Sequence, residues 1–507
     1  MLEGTRTNKR NLPAPPRRFA LLACAALTAF VVPVVANATG GPLDPLVRHV
    51  SAHVNGKAAF SIDAKALGVD RSSLPIGVFD SGIGGFTVME ALLTLDAHDN
   101  RTLRPGADGV PDFAGEKFIY FGDQANMPYG NYPPSGRADF LRELILKSAV
   151  FLLGRRYSSG GKSEYDKPPV KAIVIACNTA TAYGIDDIRA ALRQWKLDIP
   201  VIGVVEAGAR AASEALRETP GTGAVAVMAT VGTCESGAYP RAIGRFLGMA
   251  GRPAPVTVQH GSVGLAGALE GNRAFVAGSL AGRKTNPSYA GPAVGNAKAP
   301  IEPSLREVYG FDMDDVLGEK DDPATWQLNS AANYARYDIA ALAENYRRGG
   351  GIAPISTVVL GCTHYPMAKA EISGAFERLR TLRLADGREP YRELIATNVS
   401  FVDPAEFTAR DLFRELARSR MRADRASTNA PELLKTFVSV PNSSCKETKL
   451  APTGALDTGY KYGRLPGNLD TEDTVCVPLG EAPSAKEGLS KLLHALPRVS
   501  SALGLGS

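Results

Sequence analysis

An excess of charge of either sign is nearly missing from this chain once its first 38 residues are set aside. The 507 residues carry 57 Lys/Arg against 52 Asp/Glu. Arg6, Lys9, Arg10, Arg17 and Arg18 fall in residues 1–38 beside one acid, Glu3, leaving 52 basic and 51 acidic residues behind them. That balance excludes the basic footprint of a nucleic-acid or membrane-surface binder. Long apolar runs are equally scarce. "FALLACAALTAFVVPVV" (19–35) is 17 residues long and holds Pro33, short for a membrane span of about 20. Arg17 and Arg18 before it, and Ala36 and Ala38 after it, fit a cleaved signal peptide over 1–38. The chain is therefore expected to be periplasmic or secreted, with no stable membrane insertion after cleavage. Cysteine is sparse, six in all, which excludes a small disulfide-stapled scaffold. Cys445 and Cys476, in a Gly/Pro-rich tail, could close a local loop; Cys177, Cys234 and Cys362 lie at or near strand ends. A G-x-G-x-x-G turn with an acidic partner is lacking, so a dinucleotide fold is not indicated. Asp99, Asp108, Asp112 and the group Asp312, Asp314, Asp315 lack the alternating spacing of a cation loop. They read as solvated surface, and no metal site is expected.

What is present is a repeated construction. "KAIVIACNTATAYGIDDIRAALRQW" (171–195) runs a buried strand, Ile173–Ile175, into Cys177 and the polar Asn178 and Thr179. A helix follows with Ile185, Ile188, Leu192 and Trp195 on one face. "STVVLGCTHYPMAKAEISGAF" (356–376) repeats the plan: strand, Gly361, Cys362, Thr363, His364, then a helix facing inward through Ile372, Phe376 and Leu379. Both thiols thus fall at the carboxyl end of a strand, where open α/β sheets bind ligands. Two more strand ends match loosely. "PIGVFDSGIGGFTVMEAL" (75–92) ends at Asp80 and Ser81 before a helix with Phe86, Met89 and Leu93 inward. "AVAVMATVGTCESGAYPRAIGRF" (224–246) ends at Thr230 before a helix with Tyr239, Ile243 and Phe246 inward. The order, a DSG strand then a Cys strand, a TVGT strand then a Cys strand, is that of two α/β lobes related by approximate two-fold symmetry.

A thiol after one buried strand is usually only a small hydrophobe; two in matched settings point to chemistry. A helix opening favours thiolate, which is expected to lower the thiol pKa from about 8.5 toward neutrality. Two lobes closing over a small molecule with one thiol each could remove a proton from one face and return one to the other. Asp80 near one thiol and His364 near the other could tune the pair.

These residues resemble a known family. "GVFDSGIGG", "MPYG" (127–130), "ACNTATA" (176–182), "IPVIGVVEAGARAA" (199–212), "ATVGTCESGAY" (229–239), "GCTHYP" (361–366) and "VDPAE" (402–406) are similar to motifs of glutamate racemases in the aspartate/glutamate racemase superfamily, in the same order. The likeness covers about 75–247 and 355–415. It implies an isomerase: a cofactor-independent amino-acid racemase interconverting L- and D-glutamate, the D-amino acid used in peptidoglycan of the cell wall. Carried over by position, it makes Cys177 and Cys362 the acid/base pair, with Asp80 and His364 assisting. Ser81, Tyr129, Gly130, Asn178, Thr179 and Thr363 would bind the substrate's polar groups. The partner implied is a free amino acid, glutamate or aspartate, and a homodimer is open.

The resemblance also sets the architecture: two pseudo-symmetric α/β lobes with parallel sheets and the active site in the cleft between them. Lobe one takes 75–205 plus a returning segment, 371–415. Lobe two takes 206–370 with an insertion over 271–350 that reads as a surface excursion. Residues 39–74 read as a linker and 416–507 as a C-terminal extension. The family carries an acidic residue after the "GT…S…Y" helix; here Glu270 is the candidate, without a secure alignment. Two other readings stay open: an aspartate or broad acidic-amino-acid racemase, and a non-catalytic amino-acid-binding protein that keeps the cleft.

Overall fold

The computed structural model describes residues 43–68, 70–218, 223–277, 285–423 and 433–505; the expected signal peptide at 1–38 lies outside them. In chain order the elements that build the site are β1 (Ile76–Asp80), α1 (Phe86–Thr94), β2 (Phe118–Gly122), α2 (Ala138–Leu153), β3 (Ala172–Ile175), α3 (Asn178–Gln194), β4 (Val201–Gly203) and α4 (Val204–Glu218). Then come β5 (Ala224–Thr230), α5 (Ala238–Met249), β6 (Thr257–Ser262), α6 (Leu265–Leu269), α7 (Ala331–Arg348), β7 (Ile355–Gly361), α8 (Lys369–Thr381) and β8 (Ile395–Val402). The chain ends through α9 (Pro404–Arg418), β9 (Leu434–Pro441), β10 (Thr474–Pro478), α10 (Pro483–Leu492) and α11 (Pro497–Ala502).

Two sheets result. The first has the order β10-β9-β2-β1-β3-β4, the second β8-β7-β5-β6. All pairings are parallel except β9 with β10. Strands β1, β2, β3 and β7 are buried along their whole length, as parallel strands covered by helices on both faces must be. The cysteine strand and the DSG strand are central neighbours in the first sheet. In the second, the other cysteine strand lies beside the TVGT strand. Ile185, Ile188 and Leu192 of α3 and Ile372, Phe376 and Leu379 of α8 are buried as their spacing predicts. Two inward faces shift by one residue: Leu92, not Leu93, is buried on α1, and Leu247, not Phe246, on α5.

Three boundary expectations are corrected. Segment 371–415 does not return as a unit to lobe one: α8 packs on α7, and β8 pairs with β7 in the second sheet. The return starts at α9, whose Ala405, Ala409, Leu412, Phe413 and Leu416 enter the core of the first sheet. The 416–507 region is no appendage, since β9 and β10 extend the first sheet beside β2. The insertion is no surface excursion either. Ile301, Val308, Tyr309, Phe311, Trp326 and Leu328 are buried against α7 in the core of the second sheet. Large aromatics drive burial of irregular chain as well as of helices, and no periodicity announces it. The acidic group there stays outside that core, with Asp312 accepting from Asp314 N–H and Asp314 pairing with Lys320.

Candidate active site

The carboxyl ends of the two sheets meet, and each cysteine sits at that meeting. Cys177 is the N-cap of α3: its backbone is extended, and its Sγ accepts from Ala180 N–H at 3.4 Å. Its other neighbour is Ser81 Oγ, 3.7 Å away. Cys362 follows β7 from the opposite lobe, with His364 Nδ1 3.8 Å from its Sγ. Both cysteines are buried, 6% and 7% exposed.

The loop after β1 lies between them. Asp80, buried at the strand end, accepts from Gly82 N–H and Gly85 N–H, both at 3.1 Å. Those bonds fold the DSGIGG segment back on its own aspartate. Gly84 then fits under the second cysteine loop: a Cβ there would overlap His364 Cε1 and come within 2.6 Å of Thr363 Oγ1. Thr87 Oγ1 closes the junction by donating to Thr363 O at 3.0 Å. A glycine here is a packing requirement between lobes.

The imidazole has a carboxylate partner. His364 Nε2 is 2.8 Å from Glu270 Oε1, a close ion pair rather than an aligned hydrogen bond. Burial by itself lowers the His364 pKa, but the charges of Glu270 and Cys362 outweigh it and hold the ring well above its ordinary value. Glu270, which the sequence left unaligned, thus stands at the site. Asp80 is raised by burial, against the His364 charge and the backbone N–H groups that lower it.

One electrostatic expectation is reversed. Burial, then the charge of Asp80, pushes the Cys177 thiol up to about 12 despite the N–H of Ala180. The helix opening is worth less than removal of the sulfur from water, so the resting Cys177 is a thiol at neutral pH.

The remaining motif residues divide. Asn178 Oδ1 accepts from Tyr239 OH at 2.6 Å, and Thr179 Oγ1 lies 3.0 Å from both Thr230 Oγ1 and Thr233 Oγ1. These bonds tie α3 of the first sheet to elements of the second. Gly130 packs on Thr230, its would-be Cβ 3.2 Å away. Tyr129 turns elsewhere: fully buried, it donates to Asp123 Oδ2 at 2.6 Å, so its hydroxyl is not available to a substrate. Asp123 also lines a cavity of about 100 Å3 with Phe121, Phe151, Tyr157 and Cys476, which includes neither Cys177 nor Cys362. Cys445 and Cys476 are both free thiols.

Sequence reading missed Tyr120, stacked on Phe86 at 3.9 Å and donating to Gly82 O at 2.8 Å. It missed Tyr239 as the partner of Asn178. Tyr120 is one aromatic in an apolar strand, and Tyr239, at the end of the "ATVGTCESGAY" motif, read only as an inward-facing helix residue. Among the described residues no group of three or more metal-ligating side chains occurs, and no helix is long and apolar enough to cross a membrane.

Comparison with known proteins bears on this geometry. Residues 161–282 match the family model described as Asp/Glu/Hydantoin racemase. A glutamate racemase of Thermus thermophilus is 40% identical over 167 residues, 33% of this chain and 47% of the relative. A glutamate racemase of Geobacter metallireducens is 29% identical over 335 residues, 66% of this chain and 77% of the relative. The chain thus spans about half the length of the Thermus relative. A solved glutamate racemase of Francisella tularensis in complex with D-glutamate aligns over 78% of this chain and 95% of its own, with 21% identity and a TM-score of 0.41. Family model and relatives agree: this chain is similar to glutamate racemases, and its residues 161–282 to the Asp/Glu/hydantoin racemase family.

Proposed function

We propose that this protein racemises glutamate by passing protons between Cα and two thiols. The observation that carries the reading is the placement of Cys177 and Cys362 on opposite sheets, at strand ends that share the DSG loop. Each sulfur has its own ionisable company: Asp80 on one side, and His364 with Glu270 on the other. One sulfur, as thiolate, takes the Cα proton. The other, as thiol, delivers a proton to the opposite face, and the product is the mirror isomer with the two protonation states exchanged. The high pKa of Cys177 suits it to donate in the resting protein, and His364 stands 3.8 Å from the Cys362 sulfur on the other side. Ser81, Asn178, Thr179, Thr363 and the Gly130 backbone edge would hold the substrate's ammonium and carboxylates.

The reading includes export through residues 1–38, so that the enzyme works outside the cytoplasm on free amino acids. The test is incubation of the mature protein with L-glutamate in deuterium oxide under reducing conditions. Deuterium at Cα together with the D-isomer supports the reading. Equal behaviour of wild type and Cys177→Ser overturns it. L-Aspartate run in parallel separates a broader acidic-amino-acid racemase, and tight binding without exchange would leave a binding protein.

A further inference from the structure

Behind Cys362, outside every motif, lies a polar cluster that the proton transfer does not use. Asp338 sits in the middle of α7 with no exposed surface. Its Oδ1 accepts from His260 Nε2 at 2.8 Å and its Oδ2 from Ser262 Oγ at 2.6 Å. Both donors belong to the last turn of residues of β6, the outer strand of the second sheet. Around Asp338, α7 buries Tyr334, Ala335, Ile339, Leu342 and Ala343, so the carboxylate interrupts an apolar stripe. Merely fastening a helix to a sheet is done as well or better by apolar side chains, because a buried charge must be repaid for its lost hydration.

What the cluster touches suggests why it is there. Ser262 also meets the hydroxyl of Tyr365, which lies 3.4 Å from Ala229 O. Tyr365 is buried, and its N–H donates to Cys362 O at 3.1 Å. In the other direction Ser262 leads through Gly264, held at φ +111°, into α6 and then Glu270, the partner of His364. Two routes from one carboxylate therefore reach the two members of the same pair. The ionisable groups facing Asp338 are His260 from β6, Tyr365 from the cysteine loop, and Tyr334 and Tyr337 from α7 itself.

We propose that Asp338, with His260 and Ser262, is a positioning residue that fixes the Cys362–His364–Glu270 half of the site and not the Cys177 half. The inference rests on the racemase reading. Its consequence is directional: loosening the cluster slows the proton transfer at Cys362 while leaving the one at Cys177 intact. A racemase has an equilibrium constant of one, so kcat/KM must fall equally for both enantiomers. The primary isotope effects with Cα-deuterated substrates need not stay equal. When Cys362 is the base, breaking the Cα bond becomes more rate-limiting and the effect grows. When Cys362 is the acid, it shrinks.

The experiment compares wild type, Asp338→Asn and Ser262→Ala with both Cα-deuterated enantiomers of glutamate. Asp338→Asn is expected to lower kcat about tenfold with KM within about twofold, well inside the ~100-fold that a displacement of about 1 Å can cost. Its two isotope effects should diverge, and Ser262→Ala should show the same divergence at smaller size. Wild-type kinetics, or isotope effects that change together as in general softening, would overturn the proposal. If Asp338→Asn does not fold, Ser262→Ala gives the same readout. A wild type that never exchanges the Cα proton fails the racemase reading first, which is a different result from an active wild type with indifferent variants.

Discussion

The two cysteine sites are built by the same local recipe and finished in different ways. On the first sheet the groups named around Cys177 come from within the motifs: Asp80 at the end of β1, Ser81 just after it, Ala180 in its own helix. On the second, Cys362 has His364 two residues away, but the groups that hold the histidine and the loop come from afar. Glu270 comes from the end of α6, and Asp338 from α7, within the 271–350 insertion. The difference shows in charge. The first site holds one buried acid beside a thiol whose pKa is high; the second holds a cation paired with a carboxylate. Identical strand–thiol–helix segments do not make identical acids and bases, because pKa follows desolvation and neighbours.

The sharpest break of this comparison is removal of either sulfur. Cys177→Ser and Cys362→Ser are each expected to lower racemisation about 10³-fold, within the range of general acid–base catalysis, measured by polarimetry or chiral chromatography. A surviving activity in one of them would mean that one half of the site is ornamental. Next in size is the shared loop. Gly84→Ala would force a methyl into His364 and Thr363 and should cost about 1–3 kcal/mol of stability, along with activity at both sulfurs; a denaturant titration and the exchange assay read the two effects.

A smaller effect separates the halves by pH. His364 is raised above its unfolded value, so the folded state holds the extra proton. The resulting stability is complete below about pH 6.5 and fades as pH rises toward the folded pKa. Lys167, buried against Leu152 O and Gly154 O, runs the other way: burial lowers it to about 7, so its penalty fades as pH rises from about 7 toward 10.5. Glu270→Gln should therefore flatten a decline in Tm above pH 6.5, read as a difference from wild type so that Lys167 cancels. Asp80→Asn should leave that decline in place. If both variants flatten it equally, the two sites are electrically one.

The smallest expected effect tests a buttress. Ile83 of the DSG loop is buried with Leu489 and Val499 of the C-terminal helices, and a Cβ at Gly488 would lie 3.0 Å from Ile83 Cδ1. Gly488→Ala should raise KM or lower kcat no more than about threefold, consistent with a slight shift of a packed loop, and should do so without touching the Glu270→Gln pH signature. Glu90, which accepts from Arg498 N–H and Val499 N–H at the start of α11, marks how firmly that tail is held.

The strands and helices carrying Cys177 and Cys362 were legible because buried strands run continuously apolar and their helices repeat at 3.6 residues. The motif loops were legible because Gly, Asp and Thr at strand ends have few other uses. The burial of 299–328 within the 271–350 insertion was not: its aromatics are scattered among Gly and Pro, and burial of irregular chain leaves no period to read. Tyr129 looked like a substrate contact from its motif, yet Asp123 claims its hydroxyl. Asp338 did leave a trace, one acid on an otherwise apolar helical face, which by itself names no partner.

By itself the amino-acid order determined the two parallel α/β units, the strand-end location of each thiol and the polar residues beside them, since periodicity and turn chemistry are local. Only the tertiary structure decided that Glu270 meets His364, that Cys177 is a high-pKa thiol rather than a ready thiolate, and that the C-terminal region completes the first sheet. Those outcomes depend on burial and on contacts between residues far apart in the chain, and neither desolvation nor distance is written in a sequence.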